Sequence, residues 1–276
     1  MGWKQFFTPV ESMDARQARQ LIEQQPADAV TVLDVRQPAE YESGHIPGAK
    51  LIPLPELQER MGEIDREKPT VVYCAIGGRS RVAAQMLAGS NFPKVYNLSG
   101  GFKAWQGNAA VGPEDQGLAL FSGRESAEEV LAVAYGLESG LREFYLRMIP
   151  LAKKKPIEEL FRKLADIEIT HQNRILEEYR RITGSSVDGA RFDREVAGPA
   201  MEGGLTTEEY IKRAGANLDQ AADVIGLAMA IEAQALDLYQ RAADSRTDPE
   251  GQKVLRQIAR EEQEHLKLLG DLFNQI

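Results

Sequence analysis

Two hydrophobic periodicities divide the chain. Up to about Trp105, short runs of branched apolar residues stand between turn residues: TVLDV at 31–35, TVVYC at 70–74 and KVYNL at 94–98. Their length, branching and flanks predict buried strands. SRVAAQMLAG at 80–89 keeps helical spacing and ends at Gly89. Strand alternating with helix predicts an α/β domain with a mostly parallel sheet. The Gly- and Pro-containing stretch GNAAVGPEDQG at 107–117 reads as a linker. Beyond about Ser122 the apolar positions recur at helical spacing over far longer segments, 127–149, 156–182, 218–244 and 249–273. Pro156 suits a first helical turn. A Gly-rich stretch at 183–210 separates the second segment from the third. Short loops within each pair and one long connection predict an all-α four-helix bundle with a single crossover. The expected organisation is therefore a domain over 1–110, a linker over 111–124 and a bundle over 125–276.

Composition narrows this picture. The 276 residues are 43% hydrophobic and 27% charged, the balance of a soluble globular protein with enough chain for two cores. There are 33 basic against 42 acidic residues, net −9, which argues against nucleic acid or an anionic membrane as a main partner. Cys74 is the single cysteine, so neither an intrachain disulfide nor a CxxC metal site is available. The first residues lack an apolar stretch followed by a cleavage site. Phe6 stands where N-myristoylation after Met1 and Gly2 wants Ser or Thr. No apolar run approaches the roughly 18–20 residues of a membrane span. A reducing cytoplasm is the expected compartment.

Candidate chemistry in the first half centres on Cys74. It ends an apolar strand and is followed by AIGGRS and a helix. Gly77 and Gly78 let the backbone curl so that several N–H groups point inward. The helix N-terminus adds a partial positive charge, and Arg79 adds a full one. These features favour the thiolate, which is the nucleophile, although a lone cysteine is most often a small buried apolar group. Residues 8–108 resemble a rhodanese domain. LDVRQPAEYESGHIPGA at 33–49 is similar to the family's first signature, CAIGGRS at 74–80 to its active-site loop, and NLSGGFKAW at 97–105 to its closing signature. The resemblance implies that Cys74 accepts a sulfane sulfur as a persulfide, from thiosulfate or another persulfide, and passes it to a thiol. It implies that backbone amides of Ala75, Ile76, Gly77, Gly78, Arg79 and Ser80 cradle that persulfide, and that Arg79 steers and holds an anionic donor. Related phosphatases have a loop one residue longer than the six residues from Cys74 to Arg79. Sulfur transfer therefore ranks ahead of phosphatase activity. Asp34, Arg36 and His45 belong to the first signature. His45, between Gly44 and Ile46, is expected to fix a turn, and Trp105 to be core.

In the second half the signal is a repeat. Two of the three histidines each follow a glutamate by three residues, Glu168 with His171 and Glu262 with His265. That spacing puts both side chains on one helix face. Each member is 94 residues from its counterpart, and so are Glu138 and Glu232 in the preceding helices, as are Tyr145 and Tyr239. Glu138 and Glu232 sit among apolar residues, where a lone carboxylate is costly unless paired or bound to metal. Four carboxylates and two imidazoles in one core repel one another, and two divalent ions would neutralise them. Carboxylate-bridged di-iron and di-manganese bundles use this arrangement, and the oxygen and imidazole donors suit either metal. Glu261 and Glu264 read as surface residues.

Residues 125–276 resemble the ferritin-like superfamily, most closely its rubrerythrin branch. The resemblance implies Glu138 and His171 as terminal ligands of one iron, Glu232 and His265 of the other, with Glu168 and Glu262 bridging. Ala235 stands where rubrerythrins usually carry a further glutamate, and the four cysteines of a rubredoxin domain are not in this chain. Electrons are therefore expected from a separate donor. By analogy with related bundles the chain is expected to form a homo-oligomer, a dimer. The leading expectation is a two-domain protein that transfers sulfane sulfur through Cys74 and reacts peroxide or oxygen at a di-iron centre. The alternative is an iron-oxidising or storage module whose rhodanese domain is a redox sensor or docking element.

Overall fold

The structure, a computed structural model, describes residues 8–121, 124–196 and 219–275. Met1, Gly2 and Phe6, linker residues 122–123, Leu218 and the 197–210 portion of the long connection lie outside the described residues. The chain divides into two compact units, Met1–Asp115 and Gln116–Ile276.

The first unit is built on a parallel sheet. Its strands are β1 (Glu11–Met13), β2 (Thr31–Asp34), β3 (Lys50–Leu51), β4 (Thr70–Tyr73) and β5 (Val95–Leu98). They lie in the order β1-β5-β4-β2-β3. The three longer strands fall within the runs read from the pattern. β1 and β3 were not anticipated: one is three residues long and mostly exposed, the other two residues long, so neither has a period to read. Pairing of Thr31 with Thr70 and of Asp34 with Tyr73 brings the carboxyl ends of β2 and β4 level. Along β4 and the residue that follows it, Val71 and Tyr73 feed one core while Val72 and Cys74 feed the other. This is the period of two expected of a strand covered on both faces.

Helices α1 (Ala15–Glu23), α2 (Pro38–Glu42), α3 (Leu57–Arg60) and α4 (Gly78–Gly89) lie between successive strands, and α5 (Gly101–Ala104) follows β5. α2 begins at Pro38 with a reciprocal cap between Gln37 and Glu40. α4 starts two residues before the expected 80–89 segment. Gly77, at φ +95°, takes the left-handed turn that lets helix follow strand at once.

The second unit contains α6 (Ala127–Met148), α7 (Lys155–Thr183), α8 (Gly189–Val196), α9 (Ala221–Ser245) and α10 (Pro249–Phe273). Local signals set the ends. Ser126 and Glu129 form a capping box before α6, and the Asp248 side chain accepts from the Gly251 amide at the start of α10. Pro156 lies in the first turn of α7, and Gly184 ends that helix at φ +67°. α6 packs on α7 and α9 on α10; α6 also meets α10, and α7 meets α9. Leu141, Phe144, Phe161, Leu164, Ile225 and Leu269 join all four helices in one apolar core. α8 corrects the reading of 183–210 as connection alone. Asp188 caps it through the Arg191 amide, and Phe192 docks edge-on to Tyr135 at 4.9 Å between centroids. No helix among the described residues is long and apolar enough to cross a membrane.

Candidate functional site

The Cys74 loop runs from the end of β4 to the start of α4. Cys74 Sγ accepts the Gly77 amide at 3.1 Å and lies 3.5 Å from the Ser80 hydroxyl. That hydroxyl also reaches Asn97 Oδ1 at 2.7 Å, and Asn97 donates to Ser12 Oγ at 3.3 Å. Burial pushes the thiol up. The Ser80 hydroxyl and the amides of Ser80, Ile76 and Gly77 outweigh it, leaving Cys74 below its ordinary pKa. The loop is seated from below by α5: Phe102 N–H donates to Cys74 O at 2.7 Å, and Lys103 N–H to Ala75 O at 3.0 Å. Gly101, at φ +58°, makes this close approach possible, since a Cβ there would lie 2.2 Å from Cys74 O. Ile76 projects from the loop and is 69% exposed, and Gly78 opens α4.

Arg79 does not stand alone at this loop. Its guanidinium forks onto Glu40 of α2 at 2.8 and 2.7 Å. Arg79 beside it holds the Glu40 carboxyl down at about 2. Glu40 and Asn97 are two of the residues at this site that the sequence alone did not single out. Both lie inside the quoted signatures, but nothing in their spacing ties them to Arg79 or Ser80. Asp34 and Arg36 form a buried pair, with Arg36 also donating to Gly44 O at 2.7 Å. His45 Nδ1 lies 3.0 Å from Tyr41 O and its ring stacks on Tyr41, the turn-fixing position expected of it. Trp105 packs partly buried against the sheet.

The second cluster lies inside the bundle. α6 contributes Glu138, α7 Glu168 and His171, α9 Glu232, and α10 Glu262 and His265, all buried. In each set of two glutamates and one histidine, the donor atoms lie within 4.8 Å of one another. His171 Nδ1 is 2.9 Å from Glu168 and 3.5 Å from Glu138; His265 Nδ1 is 3.1 Å from Glu262 and 3.6 Å from Glu232. The two imidazoles stack at 3.3 Å between centroids, 3° from parallel. The two sets thus repeat each other in space as they do along the chain.

Burial pushes the Glu138 and Glu168 carboxyls well above the usual carboxylate range, and the charge of Glu232 adds to this at Glu168. At Glu232 burial acts in the same direction but is outweighed by the His265 and Glu262 side chains beside it. Four carboxylates so placed need cations or protons. Glu138 Oε2, Glu232 Oε2 and His265 Nε2 are buried without a hydrogen-bond partner among the described residues. Buried polar atoms are seldom left so, and oxygen and imidazole donors carrying negative charge fit a pair of divalent metal ions. Ala235, at the position of the further glutamate, is fully buried.

Two family models match the chain: a rhodanese-like domain over residues 14–108 and rubrerythrin over residues 129–273. Among curated relatives, the uncharacterized protein YqhL of Bacillus subtilis is 49% identical over 76 residues, which are 28% of this chain and 60% of that protein. The thiosulfate sulfurtransferase GlpE of Shewanella oneidensis is 38% identical over 86 residues, 31% of this chain and 85% of the relative. Among solved structures, a rhodanese-like domain protein from Staphylococcus aureus matches with a TM-score of 0.32 at 29% identity, covering 35% of this chain and 91% of that one.

Proposed function

The chain belongs to the rubrerythrin family and carries a rhodanese-like domain ahead of its helical domain, and from this we propose that it joins sulfane-sulfur transfer at Cys74 to peroxide or oxygen reduction at a di-iron centre in the bundle. The observation that carries the second half is the doubled set of buried glutamates and histidine, facing each other through stacked imidazoles. The first half rests on Cys74 Sγ lying among inward-pointing amides with its pKa lowered.

In the sulfur half, the Cys74 thiolate attacks the outer sulfur of the donor. A new S–S bond forms, the donor's own S–S bond breaks, and its electron pair leaves with sulfite or a thiolate. The amides of Ile76, Gly77 and Ser80 that favour the thiolate also suit the terminal anion of the persulfide. A thiol acceptor then attacks that outer sulfur and returns Cys74 to thiolate. No net oxidant or reductant is consumed.

In the bundle, Glu138, Glu168 and His171 would hold one iron and Glu232, Glu262 and His265 the other. Bound iron supplies the one-electron redox steps that peroxide or oxygen reduction requires. The helices provide a buried oxygen- and nitrogen-lined core whose apolar surroundings keep bulk water away from the carboxylates. A separate protein or cofactor would supply the electrons.

Single substitutions separate the halves. Cys74→Ala is expected to abolish sulfur loading from thiosulfate while leaving bound iron unchanged. His171→Ala is expected to lower bound iron while Cys74 still loads. Loss of iron in the first variant, or full iron in the second, would overturn this assignment of sites.

A further inference from the structure

Sulfur transfer at Cys74, on which this inference rests, leaves open which donor the loop prefers, and the charges around the loop bear on that choice. Thiosulfate is a compact dianion, and it must approach a thiolate. Three negative charges then gather within a few ångströms, which only nearby positive charge can offset. Arg79 is the cation that the loop itself carries, but both of its terminal nitrogens are on Glu40, at 2.8 and 2.7 Å. Each side chain of the pair is about one-third exposed. Arg36, the neighbouring arginine, is buried against Asp34 and is neutralised there. Arg81 and Lys103 flank the loop with exposed side chains, where water and salt screen them. Arg79 keeps a lesser interaction with Cys74; the Ser80 hydroxyl and the backbone amides also point at the sulfur, with the exposed apolar side chain of Ile76 beside them.

We propose that Glu40 is a specificity-determining positioning residue: by holding Arg79 in a two-pronged pair it offsets part of the loop's positive charge and turns Cys74 from compact dianionic donors towards alkyl persulfides. The hydropersulfide that reacts is its protonated form, R–S–SH, which brings no charge beyond that of R to the thiolate, and its carbon skeleton can lie on Ile76. Cys74 thiolate attacks the outer sulfur, the donor's S–S bond breaks, and the electron pair leaves with the inner sulfur, which stays bonded to R. The hydropersulfide proton moves to this leaving thiolate. Cys74 persulfide anion and a free thiol result, with one negative charge on each side. With thiosulfate the same displacement releases sulfite and carries three negative charges throughout. Glu40 therefore acts on the second donor far more than on the first.

The test uses the full chain with two probes, thiosulfate and 2-hydroxyethyl hydropersulfide, whose carbon skeleton is uncharged, and reads kcat and KM separately for loading of Cys74. Glu40→Gln removes the charge while its amide oxygen can still accept from the Gln37 amide at the α2 cap. It is expected to raise the thiosulfate-to-persulfide ratio of kcat/KM by about tenfold or more, mainly through a lower KM for thiosulfate, since the negative charge paired with Arg79 is removed. Glu40→Asp, which keeps the charge, is expected to hold the ratio within about twofold of the parent by the same reasoning. A ratio unchanged in Glu40→Gln, or shifted equally in both variants, would overturn the role of Glu40 while leaving sulfur transfer standing. Failure of the parent chain to load from either probe would overturn the sulfur-transfer reading and this inference with it.

Discussion

The Ser80 hydroxyl has one proton and two acceptors in reach, Asn97 Oδ1 at 2.7 Å and Cys74 Sγ at 3.5 Å. While Cys74 is a thiol, the amide oxygen is the stronger acceptor. Once the thiolate forms, the charged sulfur competes for the same proton. Ser80 is thus positioned to favour ionisation, and its removal should raise the thiol pKa. At neutral pH less thiolate is then present and alkylation slows. Ser80→Ala is expected to move the midpoint of the pH profile for iodoacetamide alkylation of Cys74 up by about 1 pH unit, the size of one hydrogen bond to a charged group. An unchanged profile would contradict the arrangement. At this scale the sequence exposes the residues that chemistry makes rare or special, such as Cys74, Arg79 and the histidines. It conceals their partners. Asn97 is 17 positions from Ser80 and Glu40 is 39 from Arg79, and only the sheet brings each pair together.

Elements differ in how much they announce themselves. The four long helices were legible because each carries many turns of apolar spacing, and caps such as Ser126, Pro156 and Asp248 mark their starts. β1 and β3 were not, because an edge strand of two or three residues takes its form from its neighbour's backbone rather than from its own pattern. α8 was hidden for a related reason: it is short, lies in a Gly-rich stretch, and is fixed by Phe192 packing against Tyr135 and Tyr179. α5 is the element on which the Cys74 loop depends. Gly101 at φ +58° brings its backbone against Cys74 O. Gly101→Ala adds a Cβ that must displace the loop and strains a left-handed residue, so it is expected to cost about 2 kcal/mol or more of stability. Thermal melting of the first unit's transition checks this, and a melting temperature equal to the parent's would contradict it.

On the scale of the whole molecule, the second unit repeats itself. The hairpins α6–α7 and α9–α10 each bring one glutamate and one Glu-x-x-His pair to a common core, with matching distances in the two sets. The scarcity of histidine made this repeat visible in the sequence. The stacking of the imidazoles was not readable there, because it depends on how the hairpins close on each other. Burying four carboxylates among apolar side chains is unfavourable without compensating charge, so the arrangement makes physical sense as a site for two cations. The most direct test is an anaerobic titration of the full chain with ferrous iron, reading metal bound per chain. Two tightly bound irons are expected, lost when Glu168 and Glu262 are both replaced by alanine in a chain whose helical content is unchanged. Less than one iron per chain in the parent, or two irons retained by that variant, would contradict the di-iron assignment.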